Sequence, residues 1–290
     1  MKIIEAIKYL RWENSLPFYT VLCLGLVLGG KPILDLITTP EYLVKIVLLS
    51  VAFILLSIAL FFAINDYFDS KLDRLTKRKR NPLTDGKMTK RGMLALFVAT
   101  CGTGLFLTYL VNVYVFILAI LSILSIYLYS AEPFRFKGRF ILDWVTHSLP
   151  GVFLFMAGYL TVADFRPEIL LCTIPVFLIY VLVCDMQQLW DFESDKKFGL
   201  KTTVSTLGLE KTILSLKMLV ISIFVSSIFV FIVLPPILII ALLSLPVSVF
   251  LLKLRKENIS TFEKDYLKNV KLFYIGALIV LPFLIMFRII

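Results

Sequence analysis

Nine stretches of this 290-residue chain are long and apolar enough to cross a bilayer as helices: roughly 16–37, 42–64, 93–111, 113–130, 141–161, 169–190, 212–234, 236–252 and 270–290. Spanning the hydrocarbon takes about 20 mostly apolar residues. Inside lipid every backbone N–H and C=O must be satisfied internally, so such a chain is confined to a helical bundle. The composition agrees, at 59% hydrophobic and 17% charged, against about 45–50% and 25% in soluble domains. An ordinary soluble enzyme and a disordered chain are both excluded. The expected fold class is all-α, a polytopic membrane protein of about nine transmembrane helices forming one domain over 1–290.

Two pairs of spans are joined only by Asn112 and by Pro235-Pro236, and read as hairpins with tight external turns. The opening residues, Met1 to Lys8, contain no short apolar core followed by a small-residue cleavage site, so no signal peptide is expected.

The formal net charge is +10. A basic excess of this size can signal nucleic acid, but transmembrane bundles have a second source for it in their cytoplasmic loops. Counted over alternate sides of nine spans, 26 of the 30 basic residues fall on one side, in the N-terminus to Arg11 and in 71–91, 135–139, 196–217 and 253–271. The other side holds Lys31, Lys45, Arg166 and Arg288. The asymmetry places the N-terminus and the basic loops in the cytoplasm and the C-terminus outside. The bilayer is then the partner for this charge, and nucleic acid is not.

Cys23, Cys101, Cys172 and Cys184 lie inside apolar spans without CxxC spacing, and read as buried thiols. His147 is the single histidine, on the fifth span. Histidine-rich metal sites are excluded, and the residue reads as a hydrogen-bonded interior side chain.

The chemistry concentrates in two acidic clusters. At the cytoplasmic end of the second span, Asn65, Asp69 and Asp73 are spaced i, i+4, i+8 on one helical face, with Asp66 three residues from Asp69. Carboxylates so placed repel one another unless a cation holds them. Oxygen donors of this kind suit Mg²⁺, which binds one or two carboxylates together with phosphate oxygens and water. At the end of the sixth span, Asp185, Gln188, Asp191 and Asp195 form a second stripe. Two acidic helices facing each other can hold Mg²⁺ ions that grip a diphosphate. Capping of helix ends in solvent among lysines is the bland reading of either cluster alone.

Basic residues share this side. The 71–91 loop is highly cationic, as anionic lipid headgroups favour. Its Asn81-Pro82-Leu83-x-x-Gly86 punctuation implies a defined turn. The fourth span ends in Tyr127-Leu128-Tyr129-Ser130, followed by Arg135 and Lys137, two cations placed to meet a diphosphate while the rings face an apolar chain.

Four motifs taken in order resemble the UbiA superfamily of intramembrane prenyltransferases across nearly the whole chain. They are Asn65-Asp66-x-x-Asp69-x-x-x-Asp73, Asn81-Pro82-Leu83-x-x-Gly86, Tyr129-Ser130-x-x-Pro133-x-Arg135-x-Lys137 and Asp191-x-Glu193-x-Asp195-x-x-x-Gly199-x-x-Thr202. The resemblance implies helices around a central cavity open to lipid. It also implies Mg²⁺-dependent ionisation of an isoprenyl diphosphate, with transfer of the prenyl group to a lipophilic acceptor and release of diphosphate. Carried over, Asn65, Asp69, Asp191 and Asp195 are metal ligands, with Asp66 and Asp73 in or near that shell. Asp69 and Asp191 are then central to catalysis. Arg74, Arg80, Arg135 and Lys137 become diphosphate contacts, with Arg11 carried alongside them. Tyr127 or Tyr129 would stabilise the allylic cation through its ring face.

Three positions depart from the pattern. Asn81 stands where many members have Arg, which removes a diphosphate contact and bears on how the loop closes. Arg11 lacks a following proline. Asp185 has no counterpart and is expected to contact the acceptor or a water. The first motif resembles that of archaeal digeranylgeranylglyceryl phosphate synthases, whereas the second region, Gln188 to Asp195, resembles that group less, its Glu193, Gly199 and Thr202-Thr203 being as similar to carotenoid- and chlorophyll-modifying members. The acceptor stays open between an isoprenoid lipid such as geranylgeranylglyceryl phosphate, a carotenoid and an aromatic quinone precursor.

Two rivals are weaker. A CDP-alcohol phosphotransferase would need glycine and Ala-Arg where Ser70 to Arg74 stand. A transporter with acidic cation sites would place its acids near the midplane, whereas these gather at one face.

Overall fold

The computed structural model describes residues 9, 15–30, 33–76, 81–231, 251 and 254–259, and its regular elements there are all helical. Ten helices carry the architecture: α1 (Leu16–Leu28), α2 (Ile33–Thr38), α3 (Pro40–Ser57), α4 (Asn65–Thr76), α5 (Lys90–Val111), α6 (Val113–Ser130), α7 (Leu142–Val162), α8 (Ile169–Lys197), α9 (Thr203–Leu207) and α10 (Leu209–Phe231). Among the described residues six helical stretches are long and apolar enough to span a membrane, the stretch through α3 and α4 counting as one, with the shorter apolar Phe18–Leu28 beside them. The spans expected at 236–252 and 270–290 lie outside the described residues, Leu251 apart. Expected span edges shift in three places. The first stretch is broken between α1 and α2, where Gly30 takes φ +71°, a conformation that glycine adopts without a Cβ clash. The second runs on past Ile64 into the acidic cluster, and the sixth extends to Lys197.

The outer surface is apolar. On α10, Leu214, Met218, Ile221, Val225 and Ile228 are all exposed and recur every three or four residues, a continuous stripe on one helix face. Water would penalise such a stripe and hydrocarbon does not. The protein is an integral membrane protein.

α7 is the hub, packing against α1, α6 and α8. Between helices in lipid, close approach rests on small residues rather than on the hydrophobic effect. Gly25 of α1 lies against the backbone carbonyl of Phe155, and Gly158 of α7 against that of Leu22, so a Cβ at either site would collide with main chain. Gly151 of α7 receives the ring of Tyr180 from α8 in the same way. At the far end, Asn112 ends α5 and caps α6: its Oδ1 accepts from Val115 N at 2.9 Å and its Nδ2 donates to Leu160 O at 2.8 Å. The expected one-residue hairpin is thereby tied to α7.

One feature is invisible in the spacing. Between α3 and α4 the rod passes through a π-helical stretch, Ile58–Ile64, ending where the acidic motif begins. Each wider π turn takes up an extra residue and rotates everything downstream. That rotation sets which face of α4 turns inward.

Candidate active site

On α4 the acidic motif turns into the protein. Asp66, Asp69 and Asp73 are 0%, 1% and 4% exposed, while Asn65 is half-buried at the first position of the helix. Burying carboxylates is costly unless each is paired and hydrogen-bonded, and for Asp69 and Asp73 the neighbouring loops supply partners. Lys137 makes an ion pair and hydrogen bond with Asp69 Oδ2, and Arg135 Nη2 stands 3.5 Å from Oδ1. Two cations therefore converge on one buried aspartate, from the α6–α7 loop where they were expected.

Asp73 is tied differently. Asn81 Nδ2 donates to Asp73 Oδ2 at 2.9 Å and to the Asp66 carbonyl at 2.8 Å. The same side chain accepts from Leu83 N at 3.0 Å, and its carbonyl takes Thr84 N and Asp85 N. Asn81 is fully buried. The departure from arginine at this position does not leave the loop open, because the amide staples it directly to α4. Gly86, at φ +66°, completes the turn, and Tyr9 donates to Asp85 Oδ2 at 3.0 Å. Arg74 is exposed on α4 and is not brought to Asp69. Arg11 and Arg80 lie outside the described residues.

The two tyrosines separate. Tyr127 is 41% exposed and meets Phe68 edge-on at 6.2 Å, on the outer side of α6. Tyr129 faces inward, its ring 5.8 Å from that of His147 and within electrostatic reach of both Asp69 and Asp195. Charges from both acidic motifs thus act on one inward-facing ring.

On α8 the expected stripe divides. Asp191 is half-buried and Asp195 is 9% exposed, with Thr202 Oγ1 donating to Asp195 Oδ2 at 3.5 Å. The helix ends just beyond them: Gly199, at φ +68°, donates to Lys196 O, and Leu200 N donates to Asp195 O. This paired closure needs a left-handed residue after the helix, which explains the glycine of the motif. Thr202 then caps α9 by accepting from Ser205 N at 3.1 Å. Leu200 also reaches Gly138, next to Lys137, so the two loops meet.

Asp185 and Gln188 turn instead to α7. Trp144 Nε1 donates to Asp185 Oδ1 at 2.6 Å. Gln188 Nε2 donates to Asp143 Oδ2 at 2.8 Å, and its Oε1 accepts from Val204 N at 3.0 Å. Asp143, fully buried, also accepts from Thr203 N at 2.7 Å, from Thr203 Oγ1 at 2.5 Å and from Trp144 N at 2.8 Å. This network fastens α9 and the start of α7 to α8. It also holds Ile141, whose φ of +66° is strained for a β-branched residue, through the bond from its N–H to Thr203 Oγ1 at 2.9 Å. Asp143 stands alone in the sequence, without a spaced partner, and is not among the expected site residues. A lone Asp at the start of an apolar span was the available signal.

The donors at both motifs are oxygens, buried or half-buried and flanked by cations, a set that fits Mg²⁺ and the anion it accompanies. Among the described residues no three His, Cys, Asp or Glu side chains close on a single point.

Fold and site together define a membrane-embedded helical bundle carrying two inward carboxylate motifs with basic loops at one end. The UbiA prenyltransferase family matches residues 18–284, and the chain belongs to it. It is 29% identical over 147 residues to the digeranylgeranylglyceryl phosphate synthase of Thermococcus kodakarensis, about half of each chain (50%). To that of Sulfurisphaera tokodaii it is 28% identical over 223 residues, covering 75% of this chain and 78% of the relative. A UbiA homologue from Archaeoglobus fulgidus, solved with DMAPP and Mg²⁺, superposes with a TM-score of 0.79 at 22% identity, over 97% of this chain and 98% of that one. A solved digeranylgeranylglyceryl phosphate synthase has a TM-score of 0.64 at 19% identity, over 93% and 96%.

Proposed function

We propose that this protein transfers a geranylgeranyl group from its diphosphate to the free hydroxyl of geranylgeranylglyceryl phosphate, releasing diphosphate, with Mg²⁺ as cofactor. The observation that carries the reading is the convergence on Asp69: a buried carboxylate held by Lys137 and Arg135, sharing the surroundings of Tyr129 with Asp195. The acceptor follows from the relatives, which are digeranylgeranylglyceryl phosphate synthases.

Asn65, Asp66, Asp69, Asp191 and Asp195 would hold Mg²⁺, with Asp73 at the edge of that set. The chemistry it supplies when bound is neutralisation of the diphosphate, which makes that group a better leaving group. Lys137 and Arg135 pass from Asp69 to the diphosphate oxygens and stabilise charge gathering there as the allylic C–O bond breaks. The electron pair leaves with diphosphate. The Tyr129 ring faces the allylic cation. A lone pair of the acceptor oxygen then forms the new C–O bond, and the hydroxyl proton leaves with the diphosphate. The apolar bundle excludes water, favouring transfer over hydrolysis. The charge asymmetry orients the reacting end and the N-terminus toward the cytoplasm, with the C-terminus outside.

The test is turnover of labelled geranylgeranyl diphosphate by the purified protein with geranylgeranylglyceryl phosphate, hydroxybenzoate, naphthoate or lycopene. Ether product with the first, lost with EDTA and restored by Mg²⁺, is expected. Asp69→Ala and Asp191→Ala should each lower kcat by at least about 100-fold, the scale of losing a transition-state contact. Unchanged turnover in both variants would sink the two-motif mechanism.

A further inference from the structure

His147 and Gln187 have no part in the mechanism above, yet they meet directly beneath it. His147 is 7% exposed on α7 and its Nδ1 has no hydrogen-bond partner. The ring of Tyr129 closes one side of the imidazole, and the side chain of Gln187 lies beside it. Gln187 is exposed although both its neighbours, Met186 and Gln188, are buried. It stands four residues before Asp191, hence on the same face of α8 and about 6 Å further from the helix end that carries the carboxylates. An amide at that depth on the Asp191 face looks into the space the carboxylates share rather than into lipid.

A prenyl chain needs no polar partner at this level, whereas a hydroxyl carried into an apolar interior does. The imidazole is hydrogen-bonded to the Tyr180 backbone and to the Gln187 side chain, which leaves Nδ1 to accept from a hydroxyl, and the glutamine amide offers both donor and acceptor groups. Tyr129 stands within electrostatic reach of Asp69 and Asp195, and the position of Gln187 one turn deeper than Asp191 sets the pair on the membrane side of a diphosphate held there. We infer that His147 and Gln187 bind the nucleophilic hydroxyl of the acceptor and aim its oxygen at the allylic carbon. The inference rests on the transferase reading above and deepens it. On this reading the acceptor is an alcohol and the product an ether.

The test is steady-state kinetics of the purified full-length protein with labelled geranylgeranyl diphosphate and geranylgeranylglyceryl phosphate, each varied separately. In Gln187→Leu and His147→Phe the acceptor KM should rise roughly fivefold to tenfold, the loss of one hydrogen bond, with the donor KM held. His147→Asn, which keeps hydrogen-bonding capacity, should recover part of the difference. Gln187 is exposed, so its variant keeps the packing even where His147→Phe does not fold. An active wild type whose acceptor KM is unmoved by Gln187→Leu overturns the inference and leaves the transferase reading standing. A wild type inactive with this acceptor overturns both.

Discussion

Asn81 carries a structural duty that its place in a basic loop disguises. One buried amide joins Asp73, the Asp66 backbone and the turn at Leu83, so the loop is registered against the acidic helix by a single side chain. Removing it takes one hydrogen bond from a buried carboxylate and one from a buried carbonyl, and a hydrogen bond to a charged group contributes about 1.5–3 kcal/mol. Asn81→Ala should therefore lower the unfolding temperature in detergent and reduce turnover. Asn81→Asp should be worse, since it sets a second carboxylate against Asp73. A melting curve for the alanine variant that superposes on the wild type would contradict the staple.

The helices are located by contacts between main chains as much as by apolar faces. Gly25 and Gly158 let α1 and α7 touch backbone to backbone, and no rearrangement of a flexible side chain relieves a Cβ placed there. Gly158→Leu should destabilise by several kcal/mol, beyond the roughly 1–3 kcal/mol usual for overpacking, seen as loss of monodisperse protein on size exclusion. Gly102, with open space around it, is the control position, and Gly102→Leu should behave as wild type in the same assay. Asp143 works at helix termini. It receives four hydrogen bonds from Thr203, Gln188 and Trp144, and Asp143→Ala, which leaves those buried donors unmet, should cost about 3–5 kcal/mol in thermal unfolding.

Across the molecule, the basic loops and the acidic motifs share one end. The cations that orient a membrane bundle stand in the same loops that bring Lys137 and Arg135 to Asp69, and the opposite end carries Asn112 and the α7–α8 turn. The orientation can be read directly in cells. Lys87→Cys should react with a membrane-impermeant maleimide only after permeabilisation, and Asp164→Cys should react in intact cells. Cys101, Cys172 and Cys184 are buried and Cys23 half-buried, so the native thiols add little background. The reverse labelling pattern would invert the proposed topology.

Membrane insertion, the helical class and the positions of the acidic motifs are written in local order, because apolar length and i, i+4 spacing act over a few turns of one chain segment. Asn65, Asp66, Asp69, Asp191 and Asp195 stand out by that spacing, and Arg135 and Lys137, legible as cations after the fourth span, meet Asp69 in the fold. Partnership was not legible. The π stretch before Asn65 rotates α4 by an amount no spacing records. Asp185 and Gln188 share a stripe with Asp191 in sequence yet bond to α7, and Tyr127 and Tyr129, two residues apart, face opposite ways. Asp143 gives no pattern at all, since Thr203 reaches it from 60 residues away, and the turn motif that holds Asn81 does not reveal its bond to Asp73. A repeat in sequence reports which side chains can share a face; which face turns inward, and what meets it there, depends on how separate helices pack.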